Sequence, residues 1–344
     1  MEENKIQRRS FLKLAGAALA GMSLPFKPKS ADAQIATDLA RTAKFWKVNP
    51  ANGQEYLRQT VVNTKFVQSD SMIWAKVDGW WQKFQLNGYS QEFLDWWVND
   101  LFIWYDLLFG TPQQIPPNGG HHTPGIATYS RRGVGRGDSS FHLNNSFKSI
   151  TLVPKVENLD EYLSVYEQKI ADGTGPYNLE WKKAKMKDSN YWDRRLLGMV
   201  DLYSGRDFVE QTFGFKESHY LLNTMVNPVA NVLFLDNFTS EAAPTWELRG
   251  IVANTHWNDP TKPSHDPHQA DDDLYQKYLK AVMLPHKLQH GGDLNFTGVV
   301  FHVVELFDNK DSDAPPGRGV RVVPPGFQYL SHAEYNLKRM VGKV

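Results

Sequence analysis

The chain has 344 residues, with 38 Lys and Arg set against 38 Asp and Glu, 11 His and no Cys. Hydrophobic residues make up 41% and aromatics 13%, which is apolar mass for one large or two modest cores. Disorder is therefore excluded for most of the chain, and no basic excess marks a nucleic-acid surface. Without cysteine there is no disulfide, thiolate metal site, iron–sulfur cluster or covalently attached haem; a metal would sit on His, carboxylates or Tyr, and a haem would be held non-covalently.

Residues 1–33 have three parts: a charged start with Arg8-Arg9-Ser10-Phe11-Leu12-Lys13, an apolar run from Leu14 to about Phe26, and the small residues Ala31-Asp32-Ala33. About a dozen apolar residues are too few to cross a bilayer core, which needs roughly 20, so the segment reads as a cleaved leader with its cut between Ala33 and Gln34. The R-R-x-F-L-K run resembles the twin-arginine signal of bacteria, with Gln7 in place of the usual Ser or Thr and with Lys27 and Lys29 ahead of the cut. That resemblance implies export to the periplasm in the folded state, with the twin-arginine translocase as a partner, and a frequent reason for such export is a cofactor loaded in the cytoplasm. The leader holds six of the basic and three of the acidic residues, which leaves 32 basic against 35 acidic in the rest.

Residues 34–110 are dense in tryptophan and read as a mainly helical region. Gln91 to Phe109 predicts a helix that starts near Ser90 and stops at Gly110. It is apolar almost all round, which fits a core helix, or else a membrane-docking or partner surface. Residues 111–146 form a loop rich in Pro, Gly and His; it carries His121, His122, Arg131, Arg132 and Arg136. Its Gly133-x-Gly135-x-Gly137 follows no strand and opens no helix, so it is not a nucleotide-binding turn.

From 147 to 344 strands and helices alternate. Strands are predicted over Ser149–Val156, Tyr177–Met186, Leu196–Tyr203, Ala230–Phe238, Thr245–Asn254, Phe296–Phe307 and Val320–Val323. Helices are predicted from Asn158, over Arg206–Phe213, over Asp271–Leu284 and from Ser331. Asn158 with Glu161 reads as a capping box, and Leu159, Tyr162, Leu163, Tyr166 and Ile170 form one apolar face. Phe296–Phe307 is apolar on both faces, as a central strand is. The class is therefore α+β, and two rounds of strand–helix–strand–strand–helix–strand predict ferredoxin-like units. In order of elements this resembles the dimeric α+β barrel group, which includes haem peroxidases exported by the twin-arginine route; their glycine-and-aspartate fingerprint is absent.

Six of the eleven histidines fall between 256 and 302: His256, His265, His268, His286, His290 and His302. His265-Asp266-Pro267-His268 lies beside Asp259 and Asp271-Asp272-Asp273, a ligand set that suits Zn, Fe, Mn or Cu. His286 and His290 are four apart, on one face of a helix, although Pro285 should kink or end that helix. His302 lies on the presumed central strand, where a buried imidazole needs a partner. The candidate metal ligands are thus His256, His265, His268, His286 and His290. In a haem reading His286 or His290 is the proximal ligand, and Arg131, Arg136 and His302 are the candidate catalytic groups. No nucleophile elbow, P-loop or EF-hand loop is present.

Three functions fit. The first is an exported periplasmic enzyme, a metal- or haem-dependent oxidoreductase acting on a small organic molecule. The second is a cofactor-free periplasmic protein that binds a small molecule in an aromatic-lined pocket. The third is a folded partner that docks through the apolar helix. After cleavage no membrane span is expected, and self-association is left open.

Overall fold

In this computed structural model the described residues are 45–48, 55–109, 124–130, 142–172, 179–201, 218–235, 245–256, 272–290, 297–309 and 319–324. All belong to the unit Asp38–Val344. The leader, the predicted helices at 206–213 and from Ser331, and Phe238 lie outside them.

The tryptophan-rich region differs from its predicted helical character. Before its one long helix it holds β1 (Trp46–Val48) paired with β2 (Glu55–Leu57), then β3 (Val62–Asn63), a short turn of helix α1 (Val67–Asp70), β4 (Met72–Val77) and β5 (Trp80–Gln85). β3, β4 and β5 form a three-stranded antiparallel sheet. Strands of two to six residues are too short to announce themselves by periodicity. One local signal was present: Asp78-Gly79 closes the β4–β5 hairpin, with φ of 50° and 91°, the pair of left-handed residues a two-residue hairpin turn demands.

Helix α2 (Gln91–Phe109) has the predicted bounds. Ser90 starts it by accepting the Phe93 N–H on its Oγ at 3.2 Å. Through its first three turns one face is buried, with Phe93, Leu94, Trp97 and Leu101, while Glu92, Asp95 and Asn99 face water. These turns are therefore a core helix.

The larger sheet has eight strands, every pairing antiparallel, and is curled as a half-barrel. Its strands are β6 (Gly125–Tyr129), β7 (Leu143–Phe147), β8 (Ser149–Pro154), β9 (Trp192–Asp201), β10 (Val229–Leu235), β11 (Thr245–His256), β12 (Thr297–Asp308) and β13 (Val320–Val323). The order is β7-β6-β10-β11-β12-β9-β8, with β13 on β12 beyond the end of β9. Thus the segment read as a loop over 111–146 supplies two strands, and β12 is central as expected.

The helices confirm some expectations and correct others. α3 (Leu159–Ala171) buries Leu159, Tyr162, Leu163 and Tyr166, as predicted. Its capping box is not formed: a 3-10 turn, Val156–Asn158, runs straight into the helix, and the Asn158 side chain donates to Tyr191 O at 3.0 Å instead. The stretch predicted as a strand over Tyr177–Met186 contains helix α4 (Leu179–Lys187). Its Leu, Glu, Lys, Ala and Met are good helix formers, and Trp181 packs on Tyr162 at 6.0 Å, so propensity and packing together outweigh the aromatics. α5 (His219–Thr224) was not foreseen; Ser218 Oγ caps it by accepting from Leu221 N at 3.2 Å. α6 (Asp272–His290) runs through Pro285. Burial of Tyr278, Leu279, Ala281, Val282, Met283 and Leu284 offsets the roughly 3 kcal/mol a proline costs inside a helix.

The ferredoxin-like arrangement is not the one formed. A split βαβ unit keeps another strand between the two that its helix joins. Here β8 and β9, joined through α3 and α4, pair directly and antiparallel, and so do β11 and β12, joined through α6. The α+β class stands, with a different connection.

Register separates the two faces of the large sheet. Phe234 pairs with Trp246 on one face, where both meet Phe93 of α2 edge-on at 5.4 and 5.7 Å. Gly298 lies on the opposite face, where α6 packs so closely that a Cβ there would stand 1.8 Å from Leu279 Cδ1. Farther along that same face, over β10, β6 and β7, Leu233, Leu235, Tyr129, Leu143 and Phe147 are exposed.

Candidate functional site

A cavity of about 410 Å³ opens on this second face, where β6, β7, β10, β11 and β12 converge. The walls are apolar: Val229, Ile251, Leu143, Val304, the ring of Tyr129 and, from the small sheet, Phe84. Strand alternation explains the set. Val229 pairs with Ile251 and Asn231 with Arg249, so these four share a face, and Ala127 joins them by pairing with Asn231.

The β4–β5 hairpin forms the remaining wall and is anchored at both ends. At its tip, Asp78 N donates to Asn227 Oδ1 at 3.1 Å, and Tyr129 OH donates to Asp78 Oδ2 at 3.2 Å. After its second strand, Asn87 donates through its backbone to Val303 O and through Nδ2 to Val304 O, at 3.2 and 2.8 Å. Val77 pairs with Trp80 and Ile73 with Phe84, so Trp80 shares the face of Phe84. It is 77% exposed, a large indole beside the hairpin tip with little packed on it.

The polar groups of the cavity lie along one side. Arg249 Nε meets Glu247 Oε1 at 2.6 Å, and its guanidinium stacks on Phe307 at 4.2 Å. Glu305 Oε1 accepts from Arg321 Nη2 at 3.0 Å. Asn231 Nδ2 donates to Glu247 Oε1 at 3.0 Å. Burial, above all, holds the Tyr129 phenol above its ordinary pKa, and nearby Asp78 adds to that, so it stays neutral.

Of the predicted site residues only His302 has a described side chain, and it does not line this cavity. Arg131, Arg136, His265 and His268 fall outside the described residues, as do His121, His122 and Arg132. His256 ends β11 opposite Thr297, and His286 and His290 lie in the last turns of α6; for these three the structure describes the backbone alone. His302 is fully buried on β12, and its Nδ1 is 3.2 Å from Ile251 O. A carbonyl only accepts, so that nitrogen carries the proton. Burial pushes the His302 pKa down to about 4, against the opposing pull of the Ile251 hydrogen bond and of Asp193. Among the described residues no three His, Cys, Asp or Glu stand close enough to hold a metal ion.

Beside His302 lies a buried polar group that carried no sequence signal. Asp193 takes Arg195 on both oxygens, from Nε at 2.9 Å and from Nη2 at 2.6 Å. The guanidinium also donates to Val67 O, Ser71 Oγ and Gln68 Oε1, and Gln68 passes on to Tyr278 OH at 2.6 Å. With its five N–H donors used, this arginine ties α1 to β9 and α6 and serves as a clamp. None of the cavity residues carries a motif either; Asp78-Gly79 alone would have located the hairpin that walls it.

Fold and site together define an α+β protein with a curled antiparallel sheet and an apolar cavity on one face. No family model matches the chain, and no curated protein matches it. Among solved structures, the heme storage protein HutZ from Vibrio cholerae is similar at a TM-score of 0.27 and 9% identity, over 55% of this chain and 87% of that one. A likeness that low carries no argument. No helix among the described residues is long and apolar enough to cross a membrane.

Proposed function

We propose that the protein is exported folded to the periplasm and there binds a small, largely apolar molecule in the cavity between the β4–β5 hairpin and the large sheet. The export reading rests on residues 1–33, and one observation carries the binding: a cavity of about 410 Å³, within the range of small-molecule sites, with apolar walls and a few polar groups on one side. Ala127 sits in its floor on β6, on the face away from α2, so a larger side chain there fills the cavity without entering the core. The uncharged fluorescent probe N-phenyl-1-naphthylamine is expected to bind, and Ala127→Trp to weaken it roughly ten-fold or more with the unfolding midpoint held. Equal binding to both proteins sinks the reading.

A second reading, the metal- or haem-dependent oxidoreductase acting on a small organic molecule, is favoured by one feature. α6 continues through Pro285 to His290, so the spacing of His286 and His290 is helical throughout. One preparation tests this reading and the route of export. Protein carrying its own leader is expected in the periplasm, and Arg8→Lys/Arg9→Lys is expected to keep it in the cytoplasm. An absorption spectrum with elemental analysis of the exported protein then decides: a Soret band or stoichiometric Fe, Cu, Mn or Zn selects the oxidoreductase, and a colourless, metal-free sample removes it.

A further inference from the structure

Donors on the polar side of the cavity already meet acidic side chains of the protein itself. Tyr129 OH is given to Asp78, Arg249 Nε and Asn231 Nδ2 are both given to Glu247, and Arg321 is given to Glu305. Two guanidiniums, Arg249 and Arg321, face two carboxylates, Glu247 and Glu305, so that side has no net charge. A carboxylate or phosphate entering here would meet two acidic side chains already paired with these guanidiniums, while losing its water to apolar walls.

One acceptor is left over. Glu247 can only accept, which fixes the Asn231 amide with its nitrogen toward the carboxylate. The opposite atom, Asn231 Oδ1, is buried and makes no hydrogen bond. A buried acceptor without a partner is costly, and a ligand donor placed beside it relieves that cost.

Resting on the binding reading above, we infer that the cavity takes an uncharged apolar molecule with a single hydrogen-bond donor, of the phenol or alcohol class, whose O–H is given to Asn231 Oδ1. The apolar body lies against Ile251, Val229 and Phe84. Selection then works by the donor: an analogue of the same shape that lacks it leaves Asn231 unsatisfied.

The test compares 4-hexylphenol, 4-hexylanisole and 4-hexylbenzoate by calorimetry on the wild-type protein and on Asn231→Leu. In the wild type the phenol is expected to bind roughly ten-fold tighter than the anisole, with the benzoate weakest. In Asn231→Leu, where Glu247 keeps Arg249, the phenol-to-anisole ratio is expected to fall to about one while the anisole binds at least as well. Equal binding of phenol and anisole to the wild type, or tightest binding of the benzoate, overturns the ligand class and leaves the cavity reading standing. If no compound binds, the cavity reading fails and this inference with it. The wild-type ratio needs no variant, so a poorly folding Asn231→Leu does not shield the proposal.

Discussion

Lowering the pH from about 6.5 to about 4 is expected to remove roughly 3 kcal/mol of folding stability through His302 alone. Burial holds its folded pKa at about 4, below the roughly 6.5 of an unfolded chain. Between those values the unfolded chain binds a proton that the folded protein refuses, so stability falls as the pH drops through this window. Below about 4 both states are protonated and the loss is complete. Asp193, the nearby carboxylate, eases protonation and Arg195 resists it. Their pair is already closed, so burial dominates. Urea unfolding at several pH values between 7 and 4 measures the effect. His302→Asn keeps a donor toward Ile251 O but does not titrate, so its profile is expected to be flatter by that amount. Parallel profiles for the two proteins place the pH dependence elsewhere.

Gly250→Ala is expected to cost about 3 kcal/mol or to prevent folding, toward the upper end of what overpacking does. The register of β11 and β12 shifts between Arg249 and Gly250: Arg249 pairs with Glu305 and Gly250 with Val303, leaving Val304 as the extra residue of a bulge. A Cβ on Gly250 would stand 2.0 Å from His302 O and 2.8 Å from Phe301 Cζ. The first contact is backbone, and no rotamer change relieves it. Gly298→Ala is the informative comparison, because its clash is with the far end of the Leu279 side chain, which can turn away for about 1 kcal/mol. Thermal unfolding of the two variants should rank them in that order. An unchanged midpoint for Gly250→Ala would mean the two strands do not approach at this bulge.

Elements with a strong period and a clear stop were legible before the fold was known. Gln91–Phe109 is bounded by a serine cap and a glycine, and β12 has apolar residues on both faces, so each could be placed from local pattern. The failures share a physical cause. Lys-rich 179–187 is a helix whose aromatic residue packs on Tyr162, a partner 19 positions earlier. The proline of α6 is tolerated because the helix beds on the sheet. β6 and β7 sit in a segment whose Pro and Gly mask their alternation. The cavity was illegible for the same reason: Phe84, Ala127, Asn231, Ile251 and Glu305 come from five strands, and such a set leaves no spacing to recognise.

Cysteine chemistry was excluded by the sequence alone, because composition settles it, and the balanced charge gave no overall basic excess to point toward nucleic acid. The reading of residues 1–33 as a twin-arginine leader also rests on sequence alone. Hydrophobic period told which side of α3 is buried, since a side chain's direction repeats with the backbone's own geometry. What lies against that side was decided by the tertiary structure: β8 beside β9 without an intervening strand, His302 sealed under the sheet's cover, and a hairpin facing β10 and β11 to leave a cavity. The period of an apolar face is written by near neighbours along the chain, whereas a site is a meeting of residues far apart in it.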